Sequence, residues 1–415
     1  MPLRRPSALL FSLLTIASFR VGATSVQAQL LGPVQHLPDL QAPGAGLPPV
    51  LSTPPLRSMD DLLRGSLSLT RKLQIDVLRR SESRRVDVDP QGAPILRGEF
   101  LATGLWGAPL DAVRALGFSV DRATPADATL GLDFVVLHDT RARSTARAMR
   151  ALRQAAPDAA FTYQHLYLPA GTDDVAAAAT SATPSSNAPP QRVGLIDGGV
   201  DPSDPALVRA RIERHGCSAA NPSRHGTAVA ARLVAGDPDT LYAADLWCGD
   251  AVGGATSNLV DALAWMAREH VAVINISLVG PDNPVLAQAV RAMIARGHVL
   301  VSAVGNDGPA APPLFPAAYP DVIGVSGVDA RDRVLPESGS GDQVDFCASG
   351  VLGSGRNALR GTSFAAPIVA RKAAQWLDAP RAGAAADVQR HLAGEARDLG
   401  PAGRDPRYGN GLLSP

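Results

Sequence analysis

Gly361-Thr362-Ser363-Phe364-Ala365-Ala366-Pro367 places a serine hydroxyl at the mouth of an Ala-rich helix. Unpaired amide N–H groups of a first helical turn, and the positive end of the helix dipole, favour negative charge at such a place. A serine there can serve as a nucleophile, but only with a base, an orienting acid and donors for the oxyanion. Read alone, Ser363 is an ordinary helix cap. The upstream chain decides between the two.

Three upstream stretches supply the missing parts. His225-Gly226-Thr227-Ala228-Val229-Ala230 opens a second small-residue helix, and Val193-Gly194-Leu195-Ile196-Asp197-Gly198-Gly199 reads as a buried strand ending in a carboxylate. Ser302-Ala303-Val304-Gly305-Asn306-Asp307-Gly308 is a strand that stops in a Gly-flanked turn carrying an amide. Singly, Asp197-Gly198 and Gly305 to Gly308 are turns, because Gly, Asn and Asp tolerate left-handed dihedrals, and His225 is a helix-terminal residue. Together they stand in the order Asp, His, Ser, one of three known for a catalytic triad.

From about residue 190 to its end the chain resembles the subtilisin-like serine proteases, or subtilases. The resemblance implies Asp197, His225 and Ser363 as the triad and Asn306 as the oxyanion-hole amide. Ser363 would attack a peptide carbonyl, His225 would carry its proton to the leaving amine, and Asp197 would hold the imidazole tautomer. Two positions depart from the family pattern. Gly198 replaces the usual Ser or Thr beside the acid, removing a local hydrogen bond, and the Ser-Leu-Gly substrate strand reads Ser277-Leu278-Val279. By the same resemblance a polypeptide substrate lies as an extended strand between Ala251 to Gly254, including Gly253 and Gly254, and Ser277 to Gly280. The side-chain pocket falls near Leu278, Ala303, Val304 and Gly305. With no acid in those segments, a preference for uncharged, apolar side chains is expected.

The catalytic segment, 191–415, alternates apolar strands (Val193 to Asp197, Leu241 to Leu246, Ala272 to Ser277, His298 to Val304, Val322 to Val325) with helices. The helices follow His225, cover Leu259 to Arg268 and Val285 to Arg296, and begin at Ser363. That alternation predicts an α/β fold, a mostly parallel sheet with helices on both faces, and puts active groups at strand ends and helix starts.

Upstream, 94–171 reads as strand Ile95 to Ala102, helix Pro109 to Leu116, strand Phe118 to Asp121, strand Leu132 to Leu137, helix Ser144 to Gln154 and strand Ala160 to Leu168. This β-α-β-β-α-β order is ferredoxin-like. Subtilases commonly carry such a prodomain, so the resemblance implies a folding assistant and inhibitor whose last strand can occupy the cleft. Residues 172–190, rich in Ala, Thr, Ser and Pro, read as a flexible linker where maturation falls, or just before it.

The N-terminus carries Arg4 and Arg5, an apolar run from Ala8 to Phe19, and small-residue sites at Val21-Gly22-Ala23 and Val26-Gln27-Ala28. That pattern predicts a signal peptide over 1–28 and export, periplasmic or secreted; the run is too short to span a bilayer. Segment 29–93 combines a Pro/Gly-rich linker with an amphipathic helix pattern from Met59 to Val77.

At 415 residues with 46% hydrophobic side chains, the chain holds two domains with ample core. Its 39 basic and 39 acidic residues balance, so neither a nucleic-acid partner nor an anionic membrane surface is indicated. A monomer acting on polypeptides, with its own prodomain as partner, is expected. Three cysteines suggest one pair and one leftover. A Cys217–Cys248 bridge would tie down the loop entering the His225 helix, though spacing does not decide connectivity, and Cys347 reads as a small buried hydrophobe. No metal-binding spacing stands out and no cofactor is expected. Two other readings are a catalytically silent subtilase-like binding protein and an α/β-hydrolase esterase. The triad lacks no member, which argues against the first; Ser363 lacks the Gly-x-Ser-x-Gly elbow required by the second.

Overall fold

The computed structural model describes residues 71–122, 129–170, 190–235, 237, 239–353 and 358–415. The expected signal peptide (1–28), the Pro/Gly-rich linker, the first part of the amphipathic pattern (59–70) and all but the last residue of linker 172–190 lie outside the described residues.

The first described element is helix α1 (Arg71–Ser81), followed by the short strand β1 (Val86–Val88). Then come β2 (Pro94–Thr103), α2 (Gly107–Ala115), β3 (Phe118–Arg122), β4 (Phe134–Asp139), α3 (Thr145–Ala155) and β5 (Ala160–His165). β2 lies between β4 and β5, and β3 pairs with the far side of β4, so the sheet reads β5-β2-β4-β3. This is the ferredoxin-like arrangement expected for 94–171. Phe100, Leu137, Val113, Met149 and Leu152 are buried in a core of its own. β1, inside a segment read as linker and helix, adds to this sheet by pairing antiparallel with the start of β2.

The expected last strand, 160–168, is split. β5 ends at His165, and the chain leaves the first sheet to form β6 (Leu168–Pro169), which pairs with β11 (Leu278–Val279) instead. Sequence alternation alone cannot reveal a strand that changes partners between sheets.

The second sheet contains β7 (Arg192–Asp197), β8 (Arg211–His215), β9 (Thr240–Asp245), β10 (Val273–Ile276), β12 (Val299–Ala303), β13 (Ile323–Val328) and β14 (Phe346–Ser349). Its order is β14-β13-β12-β10-β7-β9-β8, and every pairing is parallel. Alternation within strands explains its two covered faces. Val193, Leu195, Leu241, Ala243, Val299 and Val301 join one buried cluster with helices α4 (Arg224–Val234), α7 (Ala366–Ala374) and α8 (Ala384–Glu395). Ile196, Tyr242, Ala244, Ile274, Ile276 and Leu300 join the other, with α5 (Thr256–Arg268) and α6 (Pro284–Ala295). Strands buried on both faces have near-continuous apolar sequences. β8 was not foreseen because its sequence, Arg-Ile-Glu-Arg-His, is charged, as edge strands commonly are.

The ferredoxin-like body docks against the starts of α5 and α6. Gln164 Nε2 donates to Ser257 Oγ (2.7 Å), while Ser257 N donates to Gln164 Oε1 (3.2 Å). Asn283 caps α6, its Oδ1 accepting from Val285 N at 3.0 Å, and its Nδ2 donates to Tyr163 O at 3.1 Å. Orphan amides at these helix starts are thus met partly from across the interface.

Candidate active site

Strand β7 ends on Asp197, helix α4 begins beside His225, and a single 3-10 turn, Thr362–Phe364, carries Ser363 ahead of α7. The helix expected from Ser363 therefore starts at Ala366, and the tighter turn precedes it. Ser223 caps α4 by accepting from Gly226 N at 2.9 Å. Gly226 is required there, since a Cβ would lie 2.3 Å from the Gly198 carbonyl oxygen.

The three side chains form one line. His225 Nδ1 is 2.9 Å from Asp197 Oδ1, and His225 Nε2 is 2.9 Å from Ser363 Oγ. Because the carboxylate only accepts, the Nδ1 proton is fixed toward Asp197 and Nε2 is left to accept the serine proton. All three residues are buried, and the Phe364 ring lies 5.3 Å from the imidazole. Gly198 N donates to Asp197 Oδ1 at 2.6 Å, whereas Asp197 Oδ2 is buried with no hydrogen-bonding partner among the described residues. The glycine at 198 has a steric cause: a Cβ there would meet Ser223 Oγ at 2.6 Å.

Asn306 stands opposite. Thr362 N donates to Asn306 Oδ1 at 3.0 Å, turning Nδ2 toward the niche, and Gly305 N donates to Thr362 Oγ1 at 3.1 Å. Ser277 Oγ donates to Ser363 O at 3.1 Å and accepts from Asn275 Nδ2 at 2.8 Å, tying the serine turn to the sheet. The positioning contacts of Thr362 and Asn275 were missed in the sequence, although Thr362 sits inside the motif that opened it.

The niche is filled by the chain itself. Tyr167 N donates to Gly254 O (2.7 Å), Leu168 and Pro169 pair with Val279 and Leu278, and Ala170 N donates to Ser277 O (3.1 Å). The Ala170 carbonyl oxygen accepts from Ser363 N at 3.0 Å and from Asn306 Nδ2 at 2.5 Å, with Ser363 Oγ at 2.6 Å. The Tyr167 ring rests over Gly280, where a Cβ would lie 2.4 Å from it, and its hydroxyl donates to Pro281 O at 2.9 Å. Burial raises that phenol's pKa well above its ordinary value, so it stays a donor.

Of the expected substrate-binding residues, Gly254, Ser277, Leu278, Val279 and Gly280 meet this strand. Val279 keeps the ladder because its β-branched side chain is buried in the catalytic core. The Gly253 carbonyl is instead taken by Asn258 Nδ2 (2.8 Å) and Ala255 N (2.8 Å). Ala303 and Val304 are buried at the sheet end, and Gly305 (φ +97°) is faced by Leu314, a residue absent from the expected pocket. Cys217 and Cys248 are joined as a disulfide, while Cys347 is a buried free thiol whose pKa burial pushes up to about 12. Among the described residues, the grouping with metal-ligand spacing is Cys217, Asp245 and Cys248, whose two sulfurs are bonded to each other.

A parallel sheet that brings a carboxylate, an imidazole and a hydroxyl together in this chain order defines the subtilisin-like class of proteins. Residues 191–411 match the Subtilase family, Peptidase_S8, and the chain belongs to that family. It is 28% identical over 240 residues to the minor extracellular protease Epr of Bacillus subtilis, covering 54% of this chain and 37% of that protein. It is 31% identical over 248 residues to subtilisin amylosacchariticus of Bacillus subtilis subsp. amylosacchariticus, covering 54% of this chain and 64% of that one. Both matches span less than two thirds of the relative. Subtilisin of Bacillus pumilus is likewise 31% identical over 248 residues, with 54% of this chain and 88% of its own length covered. Among solved structures, fervidolysin from Fervidobacterium pennivorans, a keratinolytic enzyme related to subtilisin, shares the fold. Its TM-score is 0.61 at 18% identity, over 79% of this chain and 61% of that one.

Proposed function

We propose that the chain is an exported serine endopeptidase made as an inactive precursor, whose N-terminal body inhibits the catalytic domain and assists its folding. The carrying observation is the seat of the Ala170 carbonyl between Asn306 Nδ2 and Ser363 N. A scissile carbonyl belongs there, so the bond following Ala170 is the maturation bond.

In this reading Ser363 Oγ attacks the Ala170 carbonyl carbon as its proton passes to His225 Nε2, and the oxyanion is held by Asn306 Nδ2 and Ser363 N. The imidazolium, steadied by Asp197, then protonates the amine leaving on Gly171. An acyl-enzyme remains, which water hydrolyses by the same route in reverse roles. Strand addition supplies affinity for other polypeptides without dictating sequence. Export is supported by the charged and apolar N-terminal pattern and by a disulfide, which persists in oxidising compartments. No helix among the described residues is long and apolar enough to cross a membrane.

The test is active-site labelling with a fluorophosphonate, alongside N-terminal sequencing of the processed protein. Label on Ser363 that vanishes in Ser363→Ala, with a new N-terminus at Gly171, is expected. Processed protein that takes no label would instead be a catalytically silent binding module.

A further inference from the structure

We propose that Arg71–Arg85 is a second inhibitory clamp, separate from the strand in the cleft, which straddles both edges of the substrate groove and retains the N-terminal body after the Ala170 bond is cut. The proposal rests on the precursor reading above. At one end Arg71 Nη1 donates to Val279 O at 3.1 Å, on the residue that pairs with Leu168, and Arg71 Nε lies 3.8 Å from Asp307 Oδ2, next to Asn306. The Arg71 side chain is only 11% exposed. At the other end Arg85 grips Asp250 with a two-pronged pair, 2.9 and 2.6 Å, just before the Ala251 to Gly254 edge.

Between these ends, Ile75 and Leu78 of α1 are buried in the same cluster as Tyr167, Trp247 and Leu278. No residue of α1 belongs to the core of the ferredoxin-like body. The helix packs instead in the cluster where Leu101 and Phe134 of that body meet Tyr167, Trp247 and Leu278, on the surface shared with the catalytic domain. Its contacts do not involve the scissile bond, so cutting after Ala170 leaves them in place. Two anchors on one segment also raise each other's effective concentration, so release requires both to let go. Charge-assisted bonds make the clamp sensitive to salt.

The test uses the full chain with Ser363→Ala and a recognition site for an added protease placed within 172–189, so that the severed parts are held only by non-covalent contacts. The concentration at which they separate is read by analytical ultracentrifugation in low and high salt. Arg71→Ala with Arg85→Ala is expected to separate at an about ten- to hundredfold higher concentration than the parent, with a weaker salt dependence. Asp250→Asn, which leaves the N-terminal body unaltered, is expected to shift it in the same direction by less. Parent and variants separating at one concentration would overturn the clamp while leaving the precursor reading intact. A parent whose parts separate freely would remove that reading, and the clamp with it.

Discussion

The Ala170 carbonyl oxygen accepts from Asn306 Nδ2 at 2.5 Å, so the amide proposed to hold the oxyanion is already engaged by the chain's own peptide. Asn306 is held in that pose through Thr362 N at 3.0 Å, which means the donor is set before any charge develops. Donors fixed in advance act mainly on the transition state. Asn306→Ala is expected to lower kcat by about a hundred- to a thousandfold, a range known from subtilisin itself, with KM little changed. Steady-state kinetics on a peptide substrate checks this, and an effect confined to KM would contradict it. Maturation of the Asn306→Ala precursor should slow in parallel, because in the proposed reading the same donor serves both reactions.

Leu314 is expected to set the size of the side chain accepted before the cut. Its Cδ1 would lie 2.6 Å from a Cβ built on Gly305, and it packs against the buried cluster that includes Ala170. Filling a pocket by one large side chain excludes another, and methylene-sized differences are worth about ten- to two-hundredfold in kcat/KM. Peptides with Ala before the cut are expected to outrun those with Phe by at least about tenfold. Leu314→Ala should close that gap by accelerating the Phe peptide, with little change for Ala. An unmodified enzyme that favours Phe would refute the assignment.

The parts of this molecule that were legible from sequence share one property: their signal is local. Asp197, His225, Asn306 and Ser363 each sit in a short stretch of small residues at a strand end or helix start, and the apolar runs around them announce a sheet buried on both faces. Even the ferredoxin-like order could be read because its strands and helices alternate with clear periods. Contacts made across loops or over long sequence separations left no such mark. Leu314 reaches Gly305 across a loop, and the split of strand 160–168 depends on β11, which lies more than a hundred residues further along. Arg71 looked like one more polar residue of an amphipathic helix, since nothing near it in the chain points to Val279 or Asp307. Charged β8 failed for a different reason, because an edge strand lacks the apolar run that reveals its buried neighbours.

His298 gives the fold an acid-side weakness away from the triad. It is 2% exposed ahead of β12, and its Nδ1 donates to Val271 O at 2.7 Å. Burial lowers its pKa below the ordinary 6.5, and the nearby charges of His270 and Arg296 lower it further against the opposing pull of the Val271 carbonyl. The unfolded chain therefore binds a proton at a pH where the folded chain resists it, so stability falls as the medium is acidified. Its contribution is whole above the unfolded value near 6.5 and is lost progressively as pH drops from there toward the depressed folded value. Thermal unfolding of the Ser363→Ala chain between pH 7.5 and 5 should show this decline. His298→Gln, which cannot titrate, should start from a lower Tm at pH 7.5 through lost packing yet decline less steeply. Taking the difference between the two curves removes the contribution of every other titrating group, and parallel curves would show that His298 does not carry the effect.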